Sequence, residues 1–192
     1  MRFILASASP RRKELIKEFV DEVEIIPARG EEIAVAGTPQ TLVKALSLQK
    51  AEEVFALDEN EEKIVLGADT VVAYGKTILG KPKDEEEAVA MLKMLSGKTH
   101  CVYTGVSFIY TVGGKKKIVN RYAKTKVVFN KLTDEWILEY VATGSPMDKA
   151  GAYGIQDGGL VKTIRGSFSN VVGLPVELCT KLYGKIKREL GL

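Results

Sequence analysis

Residues 3–13 read F-I-L-A-S-A-S-P-R-R-K, and the order of their chemistry sets the fold class. The apolar run Phe3–Leu5 is a short strand. Small hydroxyl residues follow it, then a proline, then two adjacent arginines that open a helix. Ser9 suits the N-cap, because its hydroxyl accepts an amide hydrogen left over in the first turn. Pro10 suits the first helical position, where its missing N–H costs nothing. Acidic residues favour that first turn because the helix dipole is positive there, yet Arg11 and Arg12 fill it. A cationic pair against the dipole is accommodated when an anion is shared between free N–H groups and guanidinium groups. Ser7, Ser9, Arg11 and Arg12 therefore read as an anion site, the alternative being two arginines that point into solvent.

Outward from this unit, apolar β-branched runs alternate with helical patterns, which predicts an α/β fold. Strands are expected over Arg2–Leu5, Val23–Ile26, Ile64–Tyr74, Cys101–Thr111, Lys117–Phe129 and Gly159–Ile164. Helices are expected over Pro10–Phe19, Pro39–Leu57, Glu85–Leu95, Asp134–Thr143 and Pro175–Leu190. Asp84 caps the third helix with Glu87 three residues on, and Gly97 stops it. Thr133 and Gly144 bracket the fourth. Gly113-Gly114 marks an antiparallel hairpin, so the sheet should be mixed. The basic run Lys115–Lys117 reads as part of that solvated turn. Asp58–Glu62 is an acidic turn and the only low-complexity stretch.

The 192 residues suit a single domain, 1–192, with a sizeable core. With 45% hydrophobic and 28% charged residues the class is soluble and globular. A net charge of +3 permits an anionic ligand, but the lysines are dispersed, which argues against nucleic acid. No run approaches a membrane span, and the apolar start is too short and too basic for a signal peptide. The two distant cysteines form no metal-type spacing and fit a reducing cytoplasm, and a single histidine argues against a His-based metal cage or a Ser-His-Asp triad. Scarce glutamine beside abundant Lys and Glu leans toward a thermophilic source.

Charges at apolar positions carry the functional signal. In I-V-L-G-A-D-T-V-V-A (Ile64–Ala73) a strand with two buried faces holds Asp69 at its centre. An unpartnered buried carboxylate is expensive, so Asp69 reads as a metal ligand or general base, or as an acceptor of backbone bonds at a bulge. Gly67 and Ala68 admit another backbone or a ligand nearby. Lys50 lies within the stripe Val43, Leu46, Val54 and Leu57 of the second helix, so it either snorkels outward or reaches into a cavity. Gly80-Lys81-Pro82 puts a lysine on a constrained loop, where glycine allows close approach. Glu31 and Glu32 sit on a loop after Pro27. The glycine-rich stretch Asp148–Gly159 reads as a binding loop or an ordinary turn. Its Gln156 offers the donor and acceptor needed to read a nucleobase edge. Arg165–Pro175 reads as a further polar loop.

These segments together resemble the Maf family of nucleotide pyrophosphatases, also called septum formation inhibitors. The motifs that carry the likeness are L-A-S-A-S-P-R-R (Leu5–Arg12), G-A-D-T-V-V (Gly67–Val72), G-K-P (Gly80–Pro82), L-S-G-K-T-H (Leu95–His100), T-G-V (Thr104–Val106), D-K-A-G-A-Y-G-I-Q (Asp148–Gln156) and N-V-V-G-L-P (Asn170–Pro175). Each is weak alone; the ordered set spans nearly the whole chain and is highly specific. The resemblance implies a fold similar to inosine-triphosphate pyrophosphatases, an elongated α/β domain with a mixed sheet and flanking helices in two lobes around a deep cleft. It implies hydrolysis of a nucleoside triphosphate to the monophosphate and pyrophosphate with a divalent cation, Mg²⁺ or Mn²⁺.

Mapped by motif, the resemblance implies that Asp69 is the catalytic carboxylate, Glu32 an acidic partner holding metal with it, and Lys81 a catalytic lysine. Ser7, Ser9, Arg11, Arg12, Lys50 and Lys81 form the substrate-phosphate set. The A-Y-G-I-Q loop resembles the branch preferring dTTP and UTP over the branch acting on 7-methyl-GTP, with Arg11, Thr70 and Gln156 as specificity positions. Ala45–Ala51 (A-L-S-L-Q-K-A) departs from the family's R-L-A-x-x-K-A by lacking the arginine, and Phe168 stands where tyrosine is frequent. His100 becomes a motif position of structural character. A homodimer is common in similar proteins. The rival from another class is a non-catalytic nucleotide-binding regulator of septation, which would not require a carboxylate inside a buried strand.

Overall fold

A computed structural model describes residues 1–33, 36–58 and 62–192. The acidic turn expected at Asp58–Glu62 therefore lies largely outside the described residues. The strands are β1 (Arg2–Leu5), β2 (Glu24–Ile25), β3 (Lys63–Tyr74), β4 (Thr77–Leu79), β5 (Thr99–Val112), β6 (Lys115–Phe129) and β7 (Val161–Arg165). The helices are α1 (Pro10–Leu15), α2 (Pro39–Phe55), α3 (Glu85–Leu95), α4 (Asp134–Ala142), α5 (Phe168–Val172) and α6 (Val176–Leu190). Short 3₁₀ turns occupy Ile16–Glu18 and stretches of Ser145–Asp157.

The sheet is mixed and seven-stranded, in the order β2-β1-β3-β5-β6-β7, with β4 paired to β3. β1 runs parallel to β2 and β3, whereas β4 and β7 run antiparallel to their neighbours. Contacts divide the chain into two compact units. One comprises Met1–Asp69, Thr104–Ala123 and Gly173–Leu192; the other comprises Thr70–Tyr103 and Lys124–Val172.

In the first unit, alternation along β1 and β3 feeds two separate cores. Phe3, Leu5, Ile64 and Leu66 pack with Cys179, Leu182 and Ile186 of α6. Ile4, Ala6 and Val65 pack with Ala51, Val54 and Phe55 of α2. Helices on both faces explain why these strands read as continuous apolar runs. The second unit has its own core, in which Val72, Val127 and Phe129 meet Met91 and Leu92 of α3 and Ile137 and Val141 of α4.

Local chemistry accounts for the boundaries. The Glu87 amide donates to Asp84 Oδ1 at 2.8 Å to cap α3, and the Trp136 amide donates to Thr133 Oγ1 at 3.2 Å to cap α4. Glu87 reaches back to the Lys83 amide at 2.8 Å rather than to the Asp84 amide, a shifted capping box. Gly113 and Gly114 both have positive φ and alone make the hairpin turn, so Lys115–Lys117 begin β6 instead of lining the turn.

Four expectations need correction. The first helix changes to a 3₁₀ turn after Leu15. α2 ends at Phe55, so Leu57 is 69% exposed and leaves the apolar stripe, while Phe55 takes the buried position. β4 is an additional strand, and Arg165–Pro175 includes the short helix α5. Lys63 is fully buried, its Nζ donating to the Asp58 carbonyl and lying 5.3 Å from the Phe55 ring centre.

His100 is buried at the start of β5, its Nε2 2.8 Å from the Tyr153 hydroxyl and its ring edge-on to Phe129 and Tyr153. Burial pushes its pKa down to about 4, so it packs as a neutral ring near pH 7. This agrees with a structural role.

Candidate active site

The site forms where α2 lies directly on β3. Val65, Gly67 and Asp69 share one strand face by the two-residue period, the face that packs on α2 through Val65. A Cβ added to Gly67 would fall 2.8 Å from the Ala51 amide nitrogen, and the Ser47 carbonyl oxygen would be closer still. Gly105 of β5 approaches α2 equally closely, 2.9 Å from the Lys44 nitrogen and nearer the Val43 carbonyl. Between these contacts the Ser47 and Ser107 hydroxyls meet at 2.9 Å, both buried. Glycines thus let the helix backbone rest on the strand backbones, and Lys50 is carried over Asp69 two residues beyond Gly67.

Asp69 is only 7% exposed, and its Oδ1 accepts from Lys50 Nζ at 2.6 Å. Lys50 Nζ also pairs with Glu32 Oε1 at 2.8 Å. The Lys50 side chain is mostly buried, whereas that of Glu32 is 56% exposed. A buried carboxylate is retained here because an ammonium partner offsets its desolvation. Lys50 therefore does not snorkel outward; its ammonium is the cation between two carboxylates.

The strand-to-helix turn adds a second cation. Ser9 caps α1 with a long bond from the Arg12 amide, 3.5 Å to Ser9 Oγ. The Ser9 amide donates to Ser7 Oγ at 3.3 Å, and Arg12 Nη1 donates to the same oxygen at 3.2 Å. Arg12 Nε donates to the Gly173 carbonyl at 2.8 Å, tying the turn to the segment before α6. Burial lowers the Arg12 guanidinium from its ordinary value, Asp69 and Glu32 raise it, and neighbouring Arg11 lowers it. An arginine starting this high remains charged at neutral pH. Ser7, Ser9, Arg11, Arg12, Glu32, Lys50 and Asp69 all belong to the first unit, and Arg12 senses Asp69, Glu32 and Arg11 electrostatically.

Thr70, Lys81 and Gln156 belong to the second unit. Thr70 follows Asp69 on β3 and is half-buried, while Lys81 and Gln156 are exposed. The Gly80 carbonyl accepts from the Gly151 amide at 2.9 Å, which joins the Lys81 loop to the Asp148–Gly159 stretch. A Cβ on Gly80 would meet no protein atom within 4 Å, so no neighbouring segment crowds that glycine. Gly151 is crowded: its φ is +70° and a Cβ there would sit 2.8 Å from Val72 Cγ2. The turn holding Gln156 is braced by Asp157, whose Oδ2 accepts from the Ser145 hydroxyl at 2.8 Å and also from Tyr140. The Gly154 amide donates to the Tyr140 hydroxyl at 3.1 Å. Burial and the bond to Asp157 push the Tyr140 phenol up.

Sequence reasoning missed the braces on the Glu32 loop. Gln49 and Glu53 of α2 bond the backbone of residues 29–33. Their only sequence signal is a pair of polar residues four apart on the helix bearing Lys50. Among the described residues, no group of three or more His, Cys, Asp or Glu side chains converges as a ready-made metal site. No described helix is long and apolar enough to cross a membrane.

Comparison with known proteins agrees along the whole chain. It is 50% identical over 205 residues to a dTTP/UTP pyrophosphatase of Agathobacter rectalis, covering 100% of this chain and 98% of the relative. It is 46% identical over 194 residues to a dTTP/UTP pyrophosphatase of Aquifex aeolicus, covering 100% and 97%. Among solved structures, the Ham1 protein of Staphylococcus aureus overlays with a TM-score of 0.52 at 15% identity, across 97% of this chain and all of that one. That overlay speaks for the fold alone. A model of the Maf-like proteins matches residues 2–186, and the chain belongs to the Maf-like protein family.

Proposed function

We propose that this chain hydrolyses dTTP and UTP to the nucleoside monophosphate and pyrophosphate. One observation carries the reading: a buried carboxylate, Asp69, faces the Lys50 ammonium with Glu32 on the other side. The relatives named dTTP/UTP pyrophosphatase, about half identical in sequence, support the same chemistry.

In the reaction, water attacks the α-phosphorus, the bond from that phosphorus to the bridging oxygen breaks, and pyrophosphate leaves. Asp69 takes the proton from the attacking water, a step contributing about 10²–10⁴-fold in rate. A triphosphate carries about four negative charges at neutral pH, and the transition state spreads charge onto equatorial oxygens. Neutralising that charge is the largest catalytic contribution expected. Arg11, Arg12, Lys50 and Lys81 supply it, with the Ser7 and Ser9 hydroxyls as additional phosphate contacts. Gln156, Thr70 and Arg11 read the base and sugar.

Asp69 and Glu32 fit a divalent cation: both present hard oxygen donors toward one cationic position, now filled by Lys50 Nζ. Mg²⁺ is commonly held by one or two carboxylates plus substrate phosphates. Such an ion, Mg²⁺ or Mn²⁺, would polarise the phosphoryl oxygens. The same reading places the chain in the cytoplasm, in keeping with its two free cysteines, and leaves room for a homodimer.

A substrate panel tests the proposal. With Mg²⁺ or Mn²⁺, dTTP and UTP are expected to release pyrophosphate at least about tenfold faster than dATP or GTP, the ratio a few base contacts supply. Tight nucleotide binding without turnover would instead favour the non-catalytic regulator.

A further inference from the structure

We propose that Gln49 is a positioning residue that fixes Glu32 by bonding the backbone on both sides of it. The proposal rests on the reading of Glu32 as a member of the active site. Gln49 Nε2 donates to the Glu31 carbonyl at 2.5 Å, and Gln49 Oε1 accepts from the Ile33 amide at 3.1 Å. The carboxamide presents one donor and one acceptor to loop backbone groups two residues apart, and its orientation follows from that match. One turn further along α2, Glu53 Oε1 accepts from the amides of Arg29 at 2.6 Å and Gly30 at 3.0 Å. Gly30 permits this approach, since a Cβ there would lie 2.8 Å from Glu53 Oε2.

These bonds answer a specific need. Residues 29–33 form no regular helix or strand, so their amides and carbonyls lack ladder partners. Glu32 is largely exposed, and packing alone does not hold its carboxylate 2.8 Å from Lys50 Nζ. Lys50, Gln49 and Glu53 occupy one helix, so a single rigid element sets both the ammonium and the backbone that presents its second carboxylate. Such preorganisation affects the rate more than binding, because a displacement of about 1 Å in a reacting group costs up to about 10²-fold.

The experiment combines amide exchange with a double-mutant cycle in the full chain. Gln49→Ala is expected to speed exchange in residues 29–33 of the nucleotide-free protein by about tenfold or more. It should lower kcat for dTTP by about tenfold while KM changes less than about threefold. In a Glu32→Gln background the same change should cost less than about twofold, because Gln49 then has nothing to position. Gln49→Glu keeps the length but sets a carboxylate against the Glu31 carbonyl, and should resemble the alanine variant. Unchanged exchange, or a full loss persisting in the Glu32→Gln background, overturns the proposal. Wild-type turnover in Glu32→Gln itself overturns the reading of Glu32, and the role of Gln49 with it, by a separate signature.

Discussion

Asp69→Asn is expected to lower turnover of dTTP by about 10³-fold, within the range assigned to a positioned general base. Asparagine keeps the shape of the side chain but cannot take a proton from water. Nucleotide affinity should stay within about tenfold, because the arginine and lysine contacts to phosphate survive. Stability should change by only about 1 kcal/mol, the size of one exchanged hydrogen bond. Lys50 keeps Glu32 at 2.8 Å and is partly solvated, so no cation is stranded. Steady-state kinetics together with calorimetric binding measure both quantities. Wild-type activity in this variant would make Asp69 a structural carboxylate whose function is to neutralise Lys50.

Gly67→Ala is expected to destabilise the chain by about 3 kcal/mol or more, at the upper end of overpacking costs. The new methyl would meet backbone atoms of α2, at Ser47 and Ala51, not the yielding end of a side chain. Relief requires α2 to lift from β3, and α2 bears Lys50 while β3 bears Asp69. Activity should therefore fall with stability, even at temperatures where the variant remains folded. Against a typical total of about 5–15 kcal/mol, such a loss is readily seen in urea unfolding. Gly184→Ala is the control. Gly184 lies inside α6 and an added Cβ meets nothing within 4 Å, so this change should stabilise by about 0.5–1 kcal/mol. Equal effects of the two substitutions would refute the direct seating of α2 on β3.

Much of this arrangement was legible in the chain because it depends on local signals. β1 and α3 have the expected bounds, since an apolar run ending in a Ser-Pro turn, and an Asp84 cap with a Gly97 stop, are short-range chemistry. Asp69 stood out as a carboxylate in a doubly buried strand, and Lys50 as a cation in an apolar stripe. Their direct pairing needed the fold, because residues 19 apart in sequence meet only once α2 is laid on β3.

Tertiary contacts decided the remainder. β4 is three residues long and carries no periodic signal; it exists because Val72 to Tyr74 pair with Leu79 to Thr77. α5 begins inside a polar loop, where the Asn170 amide donates to Ser167 Oγ at 3.0 Å. Leu57 matched the helical stripe, but α2 ends two residues earlier. Glu32 was singled out by family likeness and not by its own pattern, and Gln49 carried only its polar spacing to Glu53, because its contacts are to backbone carbonyl and amide groups.

If water is delivered to the α-phosphorus beside Asp69, the site of oxygen incorporation records it. Hydrolysis of dTTP in ¹⁸O-enriched water, with mass analysis of both products, tests this most directly. Label is predicted in dTMP, with the released pyrophosphate unlabelled. Label in pyrophosphate, release of dTDP with inorganic phosphate, or no turnover would contradict it.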